Sequence, residues 1–397
     1  MSDRQNPKMA ARTFMLLAAI YLSYIALGLP DGALGLAWPI IREEMGMPLE
    51  ALGILSLVSG TFYVLVSSQN SRISKYISTD KMNLLGLLLF VTAFFVYSIA
   101  PNFMVLALIT IFVGCGSGLI DISLNDYMSK HFSSRYMNWM HCFWGMGAAI
   151  GPIIMARMIM LGSWRGGYVT IASIQAVVAV FVIISMAKGV WRLGEKQNRQ
   201  NAKDARQNAK EGCYLSAGRY GFLQMLAFFA LVGIEGSVAL WVSSILIESR
   251  GLSIEAAGVF PAVYFICIMA GRFIFGFAAA RLGNMAIMRI GIFIAAVGIL
   301  ILVFSNSVLG MALTGLGIAP IFPCLMHESS IRFAPNMLSK LVGYQIAAAG
   351  VGSATFALLM GQILARISLE ALFPILLGLA AIIAVINEAL EWKLRRA

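Results

Sequence analysis

Charge is scarce in this sequence: Asp, Glu, Lys and Arg together make up only 12% of its 397 residues, while 60% are hydrophobic. An ordinary soluble domain is roughly 25% charged and 45–50% apolar, so this chain has too little polar surface to cover a core in water. A soluble enzyme, a disordered chain and a nucleic-acid binder are excluded on that ground, despite a formal net charge of +11. Paired cysteines are lacking as well. Cys115, Cys142, Cys213, Cys267 and Cys324 stand singly, without a CxxC pair, and four of them fall in apolar runs, which argues against a disulfide framework or a zinc site.

What the sequence has in abundance is long apolar runs. A transmembrane helix needs about 20 mostly apolar residues. Such runs fall near 13–40, 49–68, 82–100, 103–128, 137–160, 168–188, 219–247, 254–280, 285–305, 308–328, 338–364 and 370–390, which makes twelve. The first is too long for a signal-peptide core and lacks a following small-residue cleavage pattern, so it reads as a retained span. Basic residues are held on the cytoplasmic side of a membrane. Of the 29 Lys and Arg, only Arg42, Arg157, Arg165, Arg250 and Arg366 fall in the loops opposite the termini. Both termini are therefore expected in the cytoplasm, in a bacterial inner or plasma membrane.

The longest polar break, Trp191 to Gly218, contains QNRQNAKDARQNAKEG and has six spans on each side. It divides the chain into an N-terminal six-helix bundle (1–190), a cytoplasmic linker (191–218) and a C-terminal six-helix bundle (219–397). A modest internal repeat agrees with that division. At an offset of about 204 residues, Asp31-Gly32-Ala33-Leu34 falls on Glu235-Gly236-Ser237-Val238, and Gly147-Ala148-Ala149 falls on Gly350-Val351-Gly352 at about 203. The expected fold is an all-α membrane protein in which two six-helix halves enclose a site at midplane depth, as in many secondary transporters.

Ionisable groups at membrane depth cost roughly 2.5 kcal/mol or more and usually face a cavity in which they act. Asp31 in span 1, Asp121 in span 4 and Glu235 in span 7 lie deep, whereas Asp126 and Glu328 sit near span ends and are expected to be wet. The three deep carboxyls are candidate proton-coupling groups. The alternative is a carboxyl held permanently by Ser, Asn or backbone donors. Pro30 leaves the Ala26 carbonyl without its helical donor and Pro39 repeats the disruption, so span 1 is expected to be broken, with Asp31, Leu34, Gly35 and Trp38 along one stripe. A break in span 10 is expected at Pro320 and Pro323.

Span 4 reads GCGSGLIDISLND, placing Ser117, Asp121 and Asn125 on one polar stripe, while its glycines suit close helix packing. Span 5 opens NWMHCFWGMGAAIGP, with Asn138 and His141 on one face and Trp144 beside it. The candidate substrate-binding set is Asp31, Trp38, Asn125, Asn138, His141, Trp144, Trp241, Tyr344 and Gln345. Hydrogen-bonding groups beside flat aromatics suit a hydroxyl-rich ring better than a greasy drug.

These residues carry a family resemblance. GFAAARLG (Gly276 to Gly283), between spans 8 and 9, resembles the cytoplasmic signature of the major facilitator superfamily, with Ala280 where its acidic residue usually stands. The first-half segment NSRISKYISTDK is an eroded version of it. Within the superfamily, GLPDGALGLAWP, GLIDISLND and NWMHCFWGMGAAIGP resemble the fucose/proton symporter branch and its glucose-carrying relatives. The resemblance implies sugar binding and proton coupling at Asp31 and Asp121 and a matching Asn138, with His141 replacing a glutamine. Gly147-x-x-x-Gly151-Pro152 resembles part of the drug/proton antiporter signature, but span 4 lacks the membrane-depth arginine of those proteins.

The expectation is thus a secondary active transporter and not an enzyme: a proton-coupled symporter of a sugar or similar small polar solute, working by alternating access. A proton-driven drug exporter is the alternative, and sodium coupling at the same carboxylates is a third reading. A receptor or scaffold is disfavoured by the short extramembrane segments. No cofactor or metal is expected beyond the coupling ion, H+ or Na+. The expected partners are the substrate and the lipid bilayer, with no nucleic acid, and the chain is expected to be a monomer.

Overall fold

A computed structural model describes residues 7–132, 134–191, 215–216 and 218–396. Most of the expected linker therefore lies outside the described residues. Every regular element among the described residues is a helix, and twelve segments are long and apolar enough to cross a membrane. Their ends fall within a few residues of the runs read from the sequence. Large apolar side chains such as Phe14, Val177, Phe293 and Val385 stand exposed, as a lipid-facing surface requires.

The fold is an all-α membrane protein of two six-helix bundles, and the sequence repeat reappears as packing. In the first half, span 3 (Thr79–Ile99) packs on span 4 (Phe103–His131) and span 6 (Trp164–Ala187), span 2 (Ala51–Ser68) on span 4, and span 1 on span 5 (Ser134–Met160). The second half repeats each pairing six spans later: span 9 (Asn284–Phe304) on spans 10 and 12 (Leu372–Leu394), span 8 (Ile254–Leu282) on span 10, and span 7 (Arg219–Ser244) on span 11 (Pro335–Arg366). Spans 5 and 8, spans 2 and 11, and spans 1 and 7 join the halves.

Span 1 is broken as its prolines suggested, though at one place only. It consists of Pro7–Gly28 and Ala33–Glu44, with turns between, and the second helix runs unbroken past Pro39. In lipid an orphaned carbonyl has no water to turn to. The Ala26 carbonyl, which Pro30 cannot serve, instead accepts 3.0 Å from Nε2 of Gln175, buried in span 6. Span 10 likewise divides into Val308–Ile318 and Ile321–Arg332 around Pro320. Pro323 causes no second break, because it sits in the first turn of the following helix, where an N–H has no intrahelical acceptor to lose.

Glycines set the approach of spans 1 and 5. A Cβ at Gly28 would collide with the Trp144 carbonyl, one at Gly147 with that of Ile25, and one at Gly151 with that of Leu29. The span 4 glycines act in the same way, Gly114 against the Ser59 carbonyl of span 2 and Gly116 against that of Gly86 in span 3.

At the end opposite the termini the halves are shut. A Cβ at Gly35 would lie 2.5 Å from the Leu240 carbonyl oxygen and 2.7 Å from that of Ala239, and one at Gly53 would lie 2.7 Å from Cα of Leu358. Arg42 of span 1 grips Glu248 beyond span 7 with two hydrogen bonds, Nε to Oε1 at 3.1 Å and Nη2 to Oε2 at 2.5 Å.

Replacing Gln175 by Leu keeps the bulk but strands the Ala26 carbonyl. The expected cost is about 1–3 kcal/mol, read as a lower Tm of the purified protein in detergent. An unchanged Tm would show that the carbonyl finds another donor.

Candidate functional site

The site begins at the break in span 1. Gly32 has φ +74°, a left-handed conformation that favours glycine, and a Cβ there would meet Pro152 of span 5 at 2.9 Å and Pro261 of span 8 at 3.5 Å. The chain thus passes between the two halves at the point where Asp31 projects. Trp144 of span 5 donates its indole N–H to Oδ2 of Asp31 at 2.9 Å. The same ring meets Phe265 of span 8 edge-on, 5.6 Å between centroids, and carries the Arg272 guanidinium 5.5 Å from its centroid. Arg272 in turn faces Glu235 of span 7, with Nη2 3.5 Å from Oε1. Asp31, Trp144, Arg272 and Glu235 form one line of alternating charge and aromatic surface from the first half to the second.

Asp121 is the centre of a second cluster, built entirely in the first half. Its Oδ1 accepts from the Tyr24 hydroxyl of span 1 at 2.9 Å and from Nδ2 of Asn125 at 2.8 Å, and its Oδ2 accepts from the Tyr63 hydroxyl of span 2 at 2.7 Å. All three donors are neutral, and no ion pair to Asp121 exists among the described residues. Asn125 also donates to the Tyr24 hydroxyl at 2.6 Å, and the His141 ring lies edge-on to Tyr24 at 5.5 Å. The i, i+4 stripe of span 4 therefore brings Asp121 and Asn125 together, and His141 joins them through Tyr24.

Other residues singled out in the sequence lie elsewhere. Trp38 is not beside Asp31 on an open stripe: it is wholly buried, donates to the Leu49 carbonyl at 3.0 Å and packs edge-on against Phe103. Gln345 is buried and bonded to Ser329 at 2.9 Å, in a knot whose centre is Arg332. That guanidinium, also wholly buried, donates to Gln224 of span 7 at 2.9 Å and to Asn387 of span 12 at 2.6 Å. Glu328, expected to be wet, is 4% exposed and 3.7 Å from the same arginine. Tyr344 is 62% exposed. Trp241 is buried with its indole N–H unpartnered and its ring against Gly361 of span 11. Asn138 lies in the span 5 helix, and its side chain is outside the described residues.

Arg272 is the residue that sequence reasoning missed. It lies inside the span 8 run read from the sequence (254–280) and three residues inside the apolar window Ile254–Phe275, and that placement was the available signal.

With this geometry in view, the comparisons are direct. The Major Facilitator Superfamily model matches residues 20–327. The chain belongs to that superfamily. It is a transporter, not an enzyme, and an integral multi-pass membrane protein. A glucose/mannose transporter of Bacillus subtilis, GlcP, is 23% identical, covering 95% of this chain and 94% of its own length. A Staphylococcus aureus multidrug efflux pump, SdrM, is also 23% identical but matches only 44% of this chain and 40% of its own. A nucleoside transporter crystal structure, NupG, superposes with TM-score 0.74 at 12% identity over 96% of this chain and 99% of its own, so the two chains share a fold.

Two phenols give a paired prediction. Tyr63→Phe deletes a hydrogen bond to a carboxylate and is expected to cost about 1.5–3 kcal/mol. Tyr264→Phe deletes a buried hydroxyl that has no partner and is expected to leave the Tm unchanged or slightly raised. Equal losses would refute this reading of the Asp121 cluster.

Proposed function

We propose that this protein is a proton-coupled symporter of a sugar or similar small polar solute, working by alternating access in a bacterial plasma membrane, with both termini in the cytoplasm and a single chain as the working unit. One observation carries the coupling: Asp121, at membrane depth, is held among the described residues by the neutral donors of Tyr24, Tyr63 and Asn125, with no cation paired to it. A carboxylate with no cation beside it is one whose charge a proton can cancel, and losing that charge weakens three charge-assisted hydrogen bonds at once. The full-length likeness to a glucose/mannose transporter supports a sugar-sized polar substrate, as do the hydrogen-bonding groups around Trp144. In this orientation the closure at Gly35, Gly53 and Arg42–Glu248 belongs to a state shut toward the outside.

Support for drug export is weaker. Gly147 and Gly151, the part of that signature present here, are used in bringing span 5 against the span 1 backbone.

One proton entering down roughly 100 mV releases about 2.3 kcal/mol, which at 1.4 kcal/mol per tenfold sustains a substrate gradient of several tens-fold. Asp121→Asn is expected to abolish uphill uptake into proteoliposomes under an inward proton gradient while preserving exchange between equal pools. Full accumulation by that variant would remove Asp121 from the coupling step. Uptake that needs sodium at fixed pH would replace the proton by sodium.

A further inference from the structure

The carboxylates and the cation at membrane depth are satisfied very differently. Asp31 and Asp121 have donors at hydrogen-bonding distance. Arg272 has five N–H donors, yet among the described residues it makes no hydrogen bond, only a 3.5 Å approach to Glu235 and a contact with the Trp144 face. On the other side of that loose pair, Oε1 of Glu235 is buried without a hydrogen-bond partner. So is the hydroxyl of Tyr264, about two turns before Arg272 on the same helix. Arg332 marks the contrast: wholly buried where Arg272 is 16% exposed, its guanidinium is engaged by Gln224 and Asn387.

We propose that Arg272, with Tyr264 behind it, is a carboxylate-binding subsite, and that the solute carried is a sugar acid: a hydroxyl-bearing ring or chain with one carboxylate. The inference rests on the symporter reading and narrows its substrate. Arg272 offers the planar fork that matches a carboxylate with two parallel hydrogen bonds, and among the described residues that fork makes no hydrogen bond, Glu235 standing 3.5 Å away. The Tyr264 hydroxyl supplies a third donor. The hydroxyls of the solute then face Asp31 and the Asp121 cluster, which are rich in acceptors, so the two halves of the site match the two ends of such a molecule.

The same geometry links the solute to a proton. One guanidinium cannot neutralise both Glu235 and an incoming carboxylate in a water-poor site, and a second uncompensated anion there is costly. The substrate displaces Glu235 from Arg272, and Glu235 takes a proton from the aqueous side as it is displaced. The balance is one carboxylate and two protons per cycle, one on Glu235 and one on Asp121, so one net positive charge enters with the solute and the site gains no negative charge.

The test uses the purified full-length protein in proteoliposomes with two probes that share a ring and differ by the carboxylate, labelled D-glucose and D-glucuronate. Uptake of glucuronate with acidification of the lumen, and weak or no uptake of glucose, is the expected result. Arg272→Gln should lower glucuronate uptake about a hundredfold and Tyr264→Phe about tenfold, the latter without loss of Tm, so that a failure of Arg272→Gln to fold leaves a second reporter. Glu235→Gln should still exchange glucuronate while acidifying the lumen by about half as many protons per solute. Glucose uptake that glucuronate does not inhibit would overturn the subsite and leave the symporter reading intact. Uptake of neither probe would sink both readings. Glucuronate transport undiminished in Arg272→Gln and Tyr264→Phe would overturn the subsite alone.

Discussion

The requirement that governs this structure is that a broken helix in lipid must have its loose backbone groups answered from within. Pro30 takes one N–H from span 1 at membrane depth, and without a substitute the Ala26 carbonyl would face hydrocarbon. The Gln175 amide supplies the substitute from span 6. Because that one bond is made, span 1 can turn at residues 29–32, the glycine at 32 can pass between Pro152 and Pro261, and Asp31 can leave the helix axis toward Trp144. The line from Asp31 to Glu235 exists only because span 1 is interrupted at that level.

The glycines are the second half of the same argument. Spans 1 and 5 touch backbone to backbone through Gly28, Gly147 and Gly151, which holds Trp144 at a fixed height relative to the break. A side chain at any of the three would push span 5 away and carry the indole N–H out of reach of Asp31. Motif resemblance alone could assign Gly147-x-x-x-Gly151-Pro152 to drug antiport, whereas the contacts assign the glycines to packing.

Much of this was legible in the sequence, and the limits have physical reasons. Span number and the break at Pro30 follow from one-dimensional rules: run length and a missing N–H. The Asp121–Asn125 pairing follows from helical spacing. Trp38 and Gln345 were misplaced because a helical stripe says which residues share a face but not what that face meets. For Trp38 the neighbours are Leu49 and Phe103, and for Gln345 the neighbour is Ser329 in the Arg332 knot. Tyr24 and Tyr63 could not be tied to Asp121 in advance, since each comes from a different span. Arg272 lies within the span 8 run read from the sequence, but a run shows only depth, and its place beside Glu235 and Trp144 comes from the packing of spans 5, 7 and 8.

The distribution of bond strength fits a molecule whose halves must part and rejoin. The firmest polar contacts lie within a half: three donors on Asp121, and the buried Arg332 knot that ties spans 7, 10 and 12. Between halves there is Arg42–Glu248, partly exposed at 30% and 19%, a class of ion pair that contributes about 0–1 kcal/mol. There is also the Arg272–Trp144 contact, of a kind worth about 0.5–2 kcal/mol. The other contacts between halves among the described residues include close apolar packing at Gly35 and Gly53 and along spans 5 and 8, where Trp144 meets Phe265, which either face can make without leaving a polar group stranded when it opens. Separating the halves therefore costs little in hydrogen bonding, and a ligand with modest preference for one arrangement has enough differential affinity to shift the population. A carrier built the other way round, with its strongest hydrogen bonds across the moving interface, would be locked in one state by the same interactions that here keep each half intact.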